Sequence, residues 1–217
     1  MNTIPKSPLV ASPSAALSKD AEMISTTLSF ENLHSHGELF ANVFRARRQS
    51  FIVQQNWDLP ESLGMEFDQY DTPASRWIAV HDQGEVLVGM RLTPTTARCG
   101  IYSYMIRDAQ RGMINTIPHN LLYEQAPVAE NIWESTRVFV SHKAPMSIRR
   151  RIHANMVKEM IKAARENGAS GIIALTAGNW ERWYGRCGLT ARALGPLLTI
   201  DDAEFQCVMI DVNPRTH

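Results

Sequence analysis

Ile132-Trp133-Glu134-Ser135-Thr136-Arg137-Val138-Phe139-Val140 is the stretch that decides the fold. Its Ile, Trp, Val and Phe content is that of a strand. Glu134 and Arg137 nevertheless stand inside it, where an unpaired buried charge is costly. The next 70 or so residues fix the class. Ser147 offers an N-cap, Ile148, Ile152, Met156, Met160 and Ala164 recur at every fourth position, and Asn167-Gly168 stops the helix. Residues 171–176 (GIIALT) then form a short apolar run that suits a buried strand. Residues 179–186 read as a helix ended by Gly188, and 205–212 as a closing strand. Upstream, residues 25–30 read as a short first strand. Leu39, Phe40, Val43, Phe44, Phe51 and Ile52 give residues 39–54 helical spacing. Residues 76–81 and 86–92 flank Asp82-Gln83-Gly84 as a strand pair, 99–105 is a strand or an irregular connection, and 118–125 a short helix. Strand, helix, strand, helix, strand after a meander predicts an α/β domain with a mixed, largely antiparallel sheet covered by helices.

The chain has 217 residues, 44% apolar and 20% charged, enough for one sizeable domain. We expect residues 1–24, rich in Ser, Ala and Pro, to be a flexible extension and 25–217 to be a single domain. The formal net charge is zero, so composition gives no sign of a nucleic-acid partner. The charges are segregated, however. Between Asp58 and Glu85 seven acids meet one base, and between Lys143 and Arg165 seven bases meet one acid. Cys99, Cys187 and Cys207 are far apart, which reads as a reduced, cytoplasmic protein without a metal centre. His34 and His36 read as a polar helix entrance in preference to a metal site. No window approaches 18 apolar residues, so no membrane span is expected, and no apolar core of a signal peptide is present.

Arg47, Phe51, Trp57, Asp68, Asp71, Arg91, Glu134 and Arg137 are the candidate site. Arg91 and Arg137 lie in apolar strands and must be paired, and Asp68 and Asp71 are the obvious partners. They sit in residues 56–72, a long acidic loop of the kind that is functional when structureless. Two or three Arg, two Asp and one Glu walled by Phe and Trp suit a ligand carrying both ammonium and carboxylate groups. Residues i and i+3 of a regular strand face opposite ways, so Glu134 and Arg137 share a site only across a bulge.

The ordered set Arg47-x3-Phe51-x5-Trp57, Glu66-x-Asp68-x2-Asp71, Gly89-x-Arg91-Leu92 and Trp133-Glu134-x2-Arg137 resembles the acyl-homoserine-lactone synthases, the LuxI-type autoinducer synthases of quorum sensing. Gly195-Pro196 and Ile200 also fit that family, and the resemblance covers residues 25–212. It implies a GNAT-like three-layer α/β/α sandwich. It also implies acylation of the amine of S-adenosylmethionine (SAM) from acyl carrier protein or acyl-CoA, then lactonisation with release of methylthioadenosine (MTA). SAM is then a substrate, and no cofactor is implied. Arg47, Phe51 and Trp57 would line the SAM site. Asp68 and Asp71 would hold the ammonium or orient Arg91 and Arg137, which would form a carboxylate clamp and an ion-pair frame. Glu134 would be the general base, directly or through water, or an ion-pair partner of an Arg. A backbone N–H of Phe139 or Val140 would serve the thioester oxyanion.

Met146, Ile173, Leu175, Thr176, Trp180, Trp183 and Tyr184 are acyl-pocket candidates, with ordinary core packing as the alternative. Lys143, Arg149, Arg150 and Arg151 are either an exposed helical face or a dock for an acidic carrier protein. The competing readings are a GNAT acyltransferase acting on another amine and a non-catalytic paralogue. The first lacks a glycine between Val140 and Ile152 for a pyrophosphate loop, and the intact charged set weighs against the second.

Overall fold

Each neighbouring strand pair in the main sheet is antiparallel except one. The computed structural model describes residues 23–213, so residues 1–22 of the expected extension lie outside the described residues; Ile24 already belongs to the first strand. The elements run β1 (Ile24–Leu28), α1 (Leu33–Arg48) continued by a wider π-helical turn (Gln49–Gln54), a small hairpin of β2 (Glu61–Ser62) and β3 (Met65–Glu66), β4 (Arg76–Asp82), β5 (Glu85–Pro94), α2 (Met105–Gln110) and β6 (Ile132–Val140). After a 3-10 turn (Met146–Ile148) come α3 (Arg149–Glu166), β7 (Gly171–Ala177), α4 (Trp180–Arg186), β8 (Ala191–Ile200) and β9 (Ala203–Asp211). The seven-stranded sheet has the order β1-β4-β5-β6-β7-β9-β8, with β6 and β7 the parallel pair.

Alternation along the strands distributes two cores. Ile78, Val88, Met90, Trp133, Ile172 and Val208 face α3 and α4, meeting Ile152, Met156, Met160 and Tyr184. On the opposite face α1 packs Leu39, Val43 and Phe44 over Leu28, Trp77, Ala79 and Phe139. Further along that face α2 sets Ile106 and Ala109 on Ile173, Cys207 and Met209. Each such side chain withdrawn from water contributes about 1.5–3 kcal/mol, so helix faces on both sides hold the sheet in the expected three-layer sandwich.

The feature that positions the site is a parting of two strands. β6 and β7 pair from Ile132↔Gly171 to Ser135↔Ala174 and no further. On its other edge β6 pairs Thr136 with Arg91 and Phe139 with Gly89, so it takes three steps where β5 takes two. The extra residue is Arg137, at φ 53°, a left-handed value costly for a side chain other than glycine. This is the expected bulge. It bends β6 away from β7 and resets its alternation, which brings Arg137 and Phe139 to the face already used by Glu134 and Thr136.

Two local expectations change and one strand is additional. Residues 118–125 are not a helix but a strap along β8, with the Tyr123 N–H donating to the Leu194 carbonyl at 2.9 Å. β8 itself was hidden by Gly195-Pro196, which reads against a strand. It is an edge strand with a register shift between Ala193 and Leu197, where such residues are tolerated. A Cβ on Gly195 would stand 1.9 Å from the Leu121 carbonyl oxygen, so the strap requires glycine there. Residues 99–105 take the second of their two expected forms, an irregular connection, closed by the Cys99↔Tyr102 bridge. The first helix begins earlier, at Leu33, with a kink at His36.

Candidate active site

Three arginines and three carboxylates interlock on the α1 face. Arg47, from the last turn of α1, donates Nε to Glu66 at 2.5 Å and both terminal nitrogens to Asp71 at 2.7 and 2.9 Å. Arg91, from β5, donates to Asp68 at 2.5 Å, to Asp71 at 2.9 Å and through Nε to the Thr136 hydroxyl at 3.1 Å. Arg137 reaches Glu66 at 3.1 Å and Asp68 at 2.8 Å. The side chains are nearly closed to solvent; Arg137, at 12% exposure, is the most open of the six.

Local sequence explains how the loop delivers its acids. Leu63 and Gly64, both at positive φ, form the two-residue turn of the β2–β3 hairpin, and β3 ends on Glu66. Asp68 accepts the Tyr70 N–H, an Asx turn, and Asp71 accepts the Asp68 N–H and the Trp77 indole N–H. Burial alone would raise the Asp71 pKa, but Arg91 and Arg47 overcome it and hold the carboxyl well below the ordinary range. Three positive groups thus face three negative ones, and the charges of the cage cancel.

Glu134 lies outside this cage. Fully buried, it accepts the backbone N–H groups of Ile106 at 2.6 Å and Met105 at 3.1 Å, at the start of α2. Burial pushes its pKa up to about 7, against the opposing pull of those N–H groups and of Arg91. The expected alternative of an ion pair with an arginine is not what holds it. Glu134 does not itself line the cavity that opens between β6 and β7, although its hydrogen-bond partner Met105 and its chain neighbours Ser135 and Thr136 do. A carboxyl with so raised a pKa is suited to proton transfer.

The parting of β6 and β7 opens a cavity of about 420 Å³. At one end stand Phe51, Trp57 and Arg137; Phe51 and Trp57 stack at 5.2 Å with their planes 6° apart, and the Arg137 guanidinium lies 5.6 Å from the Phe51 ring. The other end, on the α3 face, is lined by Met156, Met160, Trp180, Trp183 and Tyr184. Ser135, Thr136, Leu175 and Thr176 connect the two.

The structure sorts the expected residues. Phe51, Trp57 and Arg137 line the cavity, whereas Arg47, Asp68, Asp71 and Arg91 stand behind it. Arg91 directs its guanidinium donors at Asp68, Asp71 and Thr136, so it belongs to the ion-pair frame and not to a clamp. Leu175, Thr176, Trp180, Trp183 and Tyr184 line the cavity as expected of an acyl pocket, but Ile173 and Met146 do not. Ile173 points through the sheet into the α2 core, and Met146 is 76% exposed on the turn before α3. The Ser141 N–H donates to Leu87 of β5, so by alternation the Phe139 N–H also faces β5 and that of Val140 faces the parted side. Lys143 pairs with Glu85 at 2.9 Å, Arg149 donates to the Ala144 carbonyl, and Arg150 and Arg151 are exposed. His34 and His36 sit in the opening turns of α1.

Glu66 was missing from the expected site although it pairs two of the three arginines. Charge counting hid it: Glu134 already balanced the third arginine in the expected set, whereas in the structure Glu66 takes that place. Met90, Met105, His153, Met156 and Met160 were also missed as cavity residues. On the sequence, the two α3 methionines are indistinguishable from core positions.

Known proteins resemble this chain over most of its length. The family model described as "Autoinducer synthase" matches residues 31–216. An acyl-homoserine-lactone synthase from Acinetobacter nosocomialis is 27% identical over 190 residues, covering 84% of this chain and 97% of that protein. The structure of TofI in a ternary complex with an inhibitor and MTA aligns with a TM-score of 0.67 at 26% identity, over 88% of this chain and 93% of that one. That of the CoA-dependent acyl-homoserine lactone synthase BjaI, with SAM and isopentyl-CoA, aligns at a TM-score of 0.71 and 20% identity, over 88% and 84%. A match over nearly the whole described chain, on a fold shared with solved members, places this protein in the autoinducer synthase family.

Proposed function

We propose that the protein is an acyl-homoserine-lactone synthase that joins the amine of SAM to the acyl group of a thioester and closes the lactone with release of MTA. The observation that carries this reading is the continuity of one cavity, aromatic and cationic at its Phe51–Trp57–Arg137 end and apolar at its α3 end. Such a cavity accommodates a sulfonium zwitterion and a fatty chain head to head.

Phe51 and Trp57 offer ring faces to the sulfonium. Arg137, the most exposed arginine of the cage, is oriented by Glu66 and Asp68 and offers donors to the methionyl carboxylate. Glu134, directly or through one water, accepts a proton from the ammonium, and the freed amine attacks the thioester carbonyl. A C–N bond forms, the C–S bond breaks and the carrier sulfur leaves as the thiol, taking up the proton that the nitrogen sheds on becoming an amide; the Val140 N–H is placed to meet the carbonyl oxygen. The carboxylate oxygen then attacks its own γ-carbon, breaking the C–S⁺ bond and expelling neutral MTA. Holding carboxylate against carbon is the main demand of this step, because the sulfonium is already a good leaving group. SAM supplies that leaving group as a substrate, and neither step calls for a cofactor.

The donor reads as acyl carrier protein or acyl-CoA, with Arg149, Arg150, Arg151 and Lys143 as a basic approach to either. BjaI, a fold relative, is CoA-dependent. No helix among the described residues is long and apolar enough to cross a membrane, and free cysteines with intracellular thioester donors favour a cytoplasmic site of action. The whole of residues 25–217 is read as one catalytic domain.

The test is incubation with SAM and a panel of acyl carrier protein and CoA thioesters, read by mass spectrometry. Acyl-homoserine lactone and MTA in equal amounts are expected. Absence of both with every donor overturns the reading.

A further inference from the structure

A second hollow lies on the outer surface, between α3 and α4, with a volume of about 1310 Å³. Its floor is apolar, made by Val157, Ile161, Cys187 and Leu189, and its rim carries Arg150, Lys158 and Arg186. Two residues line both this groove and the inner cavity: His153 of α3 and Trp183 of α4. Their rings meet edge to face, 6.3 Å apart at 80°. Trp183 is braced from behind by Tyr184, at 4.8 Å and 67°. The inner cavity, which has Arg137 of the charged cage at its other end, and the outer groove therefore adjoin at the His153–Trp183 pair.

We propose, building on the function above, that the His153–Trp183 pair is the end wall of the acyl chamber, that it sets the upper limit on chain length, and that the outer groove takes the tail when the wall is opened. The chemistry of the lining favours a hydrocarbon tail at this position over the amide-bearing arm of the donor. Met156, Met160 and Trp180 surround the inner side, and Trp180 has its one polar atom bonded to Gln206 at 2.8 Å. These three side chains offer a threaded amide no free hydrogen-bond partner, and each amide group left unpaired costs about 1–3 kcal/mol. Burial and the neighbouring Arg149 lower the His153 pKa, which favours the neutral imidazole beside the apolar chamber. The wall is also thin. It is one ring from each of two helices, and both residues are only partly buried.

The test is a chain-length series. Turnover by wild type, Trp183→Ala, His153→Ala and Trp183→Phe is measured on octanoyl to hexadecanoyl thioesters. In parallel, binding of S-octyl to S-hexadecyl CoA thioethers is measured by calorimetry, which requires no reaction. The ratio of hexadecanoyl to octanoyl kcat/KM is expected to rise at least tenfold in Trp183→Ala, to rise less in His153→Ala, and to stay within twofold in Trp183→Phe. Adding Cys187→Trp, which fills the outer groove, to Trp183→Ala is expected to cancel the gain. A change equal at every chain length overturns the wall, as does a long-chain gain that survives Cys187→Trp. If Trp183→Ala does not fold by circular dichroism, Trp183→Leu and His153→Ala carry the comparison. Thioether binding that shifts with the variants in a protein that never releases MTA keeps the wall and removes the reaction. Turnover with an unshifted profile does the reverse, and neither binding nor turnover removes both.

Discussion

On the α1 face of the sheet, three arginines and three carboxylates hold one another through directed bonds of 2.5–3.3 Å. On the α3 face, across the parted strands, the cavity is walled by Met156, Met160, Trp180 and Trp183. The first wall is fixed by geometry, since a planar guanidinium bonded at three atoms has one orientation. The second is held by dispersion and burial, which constrain volume more than angle, and methionine adapts its shape readily. The demands of the chemistry match this division. The charged substrate reacts at its amine and at its γ-carbon and needs placement, while the hydrocarbon tail of the acyl group is chemically inert and needs only room.

Breaking the rigid wall is expected to have the largest effect. Asp71→Ala leaves Arg47 and Arg91 short of a buried partner, and denaturant unfolding should show a loss of about 3–5 kcal/mol. A loss below about 1 kcal/mol would mean that the cage does not hold the fold. Next comes Glu134→Gln, for which kcat should fall about 10²–10⁴-fold with SAM affinity nearly unchanged. Equal losses in both would make Glu134 a structural anchor of α2. The same residue predicts the pH dependence. As a base it works deprotonated, so kcat should rise with pH through about 7. Its folded pKa lies above the ordinary 4.5 of a glutamate, so the stability it favours is present in full below that value and is lost as pH rises through about 7. An activity limb centred near 4.5 would assign the base elsewhere.

Trp57→Ala tests the aromatic end and should raise the KM for SAM about 2–30-fold, the range of a cation–π contact of about 0.5–2 kcal/mol. An unchanged KM would show that Trp57, 39% exposed, is a lid to Phe51 and not a contact. The smallest effect belongs to the exposed basic face. Arg150→Glu should raise the KM for an acyl carrier protein donor several-fold at low salt and little at high salt. A KM that is flat with salt would take this face out of donor recognition.

The rigid wall was far more legible in the sequence than the adaptable one. Arg91 and Arg137 announce themselves because a charge inside a strand demands a partner, and the i,i+3 spacing of Glu134 and Arg137 demands a bulge. The strand–helix–strand order around β6 likewise fixes the sandwich. Apolar residues give no such compulsion. Every position of β7 from Gly171 to Ala174 is buried, so its sequence does not say which face Ile173 takes, and it turns into the α2 core. Met156 and Met160 read as core because the cavity they line lies inside the core. β8 escaped because Gly195 answers to the strap above it, through a contact with Leu121 that is remote in sequence.

The closed charge cage has a consequence for how this protein can vary over time. Each of its six members bonds two others, so a change at any single position strands charge elsewhere. Lysine at position 47 would restore the sign but not the three directed bonds. Change at these positions is therefore expected to be correlated, with an arginine and its carboxylate lost or exchanged together. A viable intermediate is as scarce on the α1 face as it is common on the α3 face. Lineages of such a protein should then diverge freely in the chain they accept while inheriting the cage as a single unit.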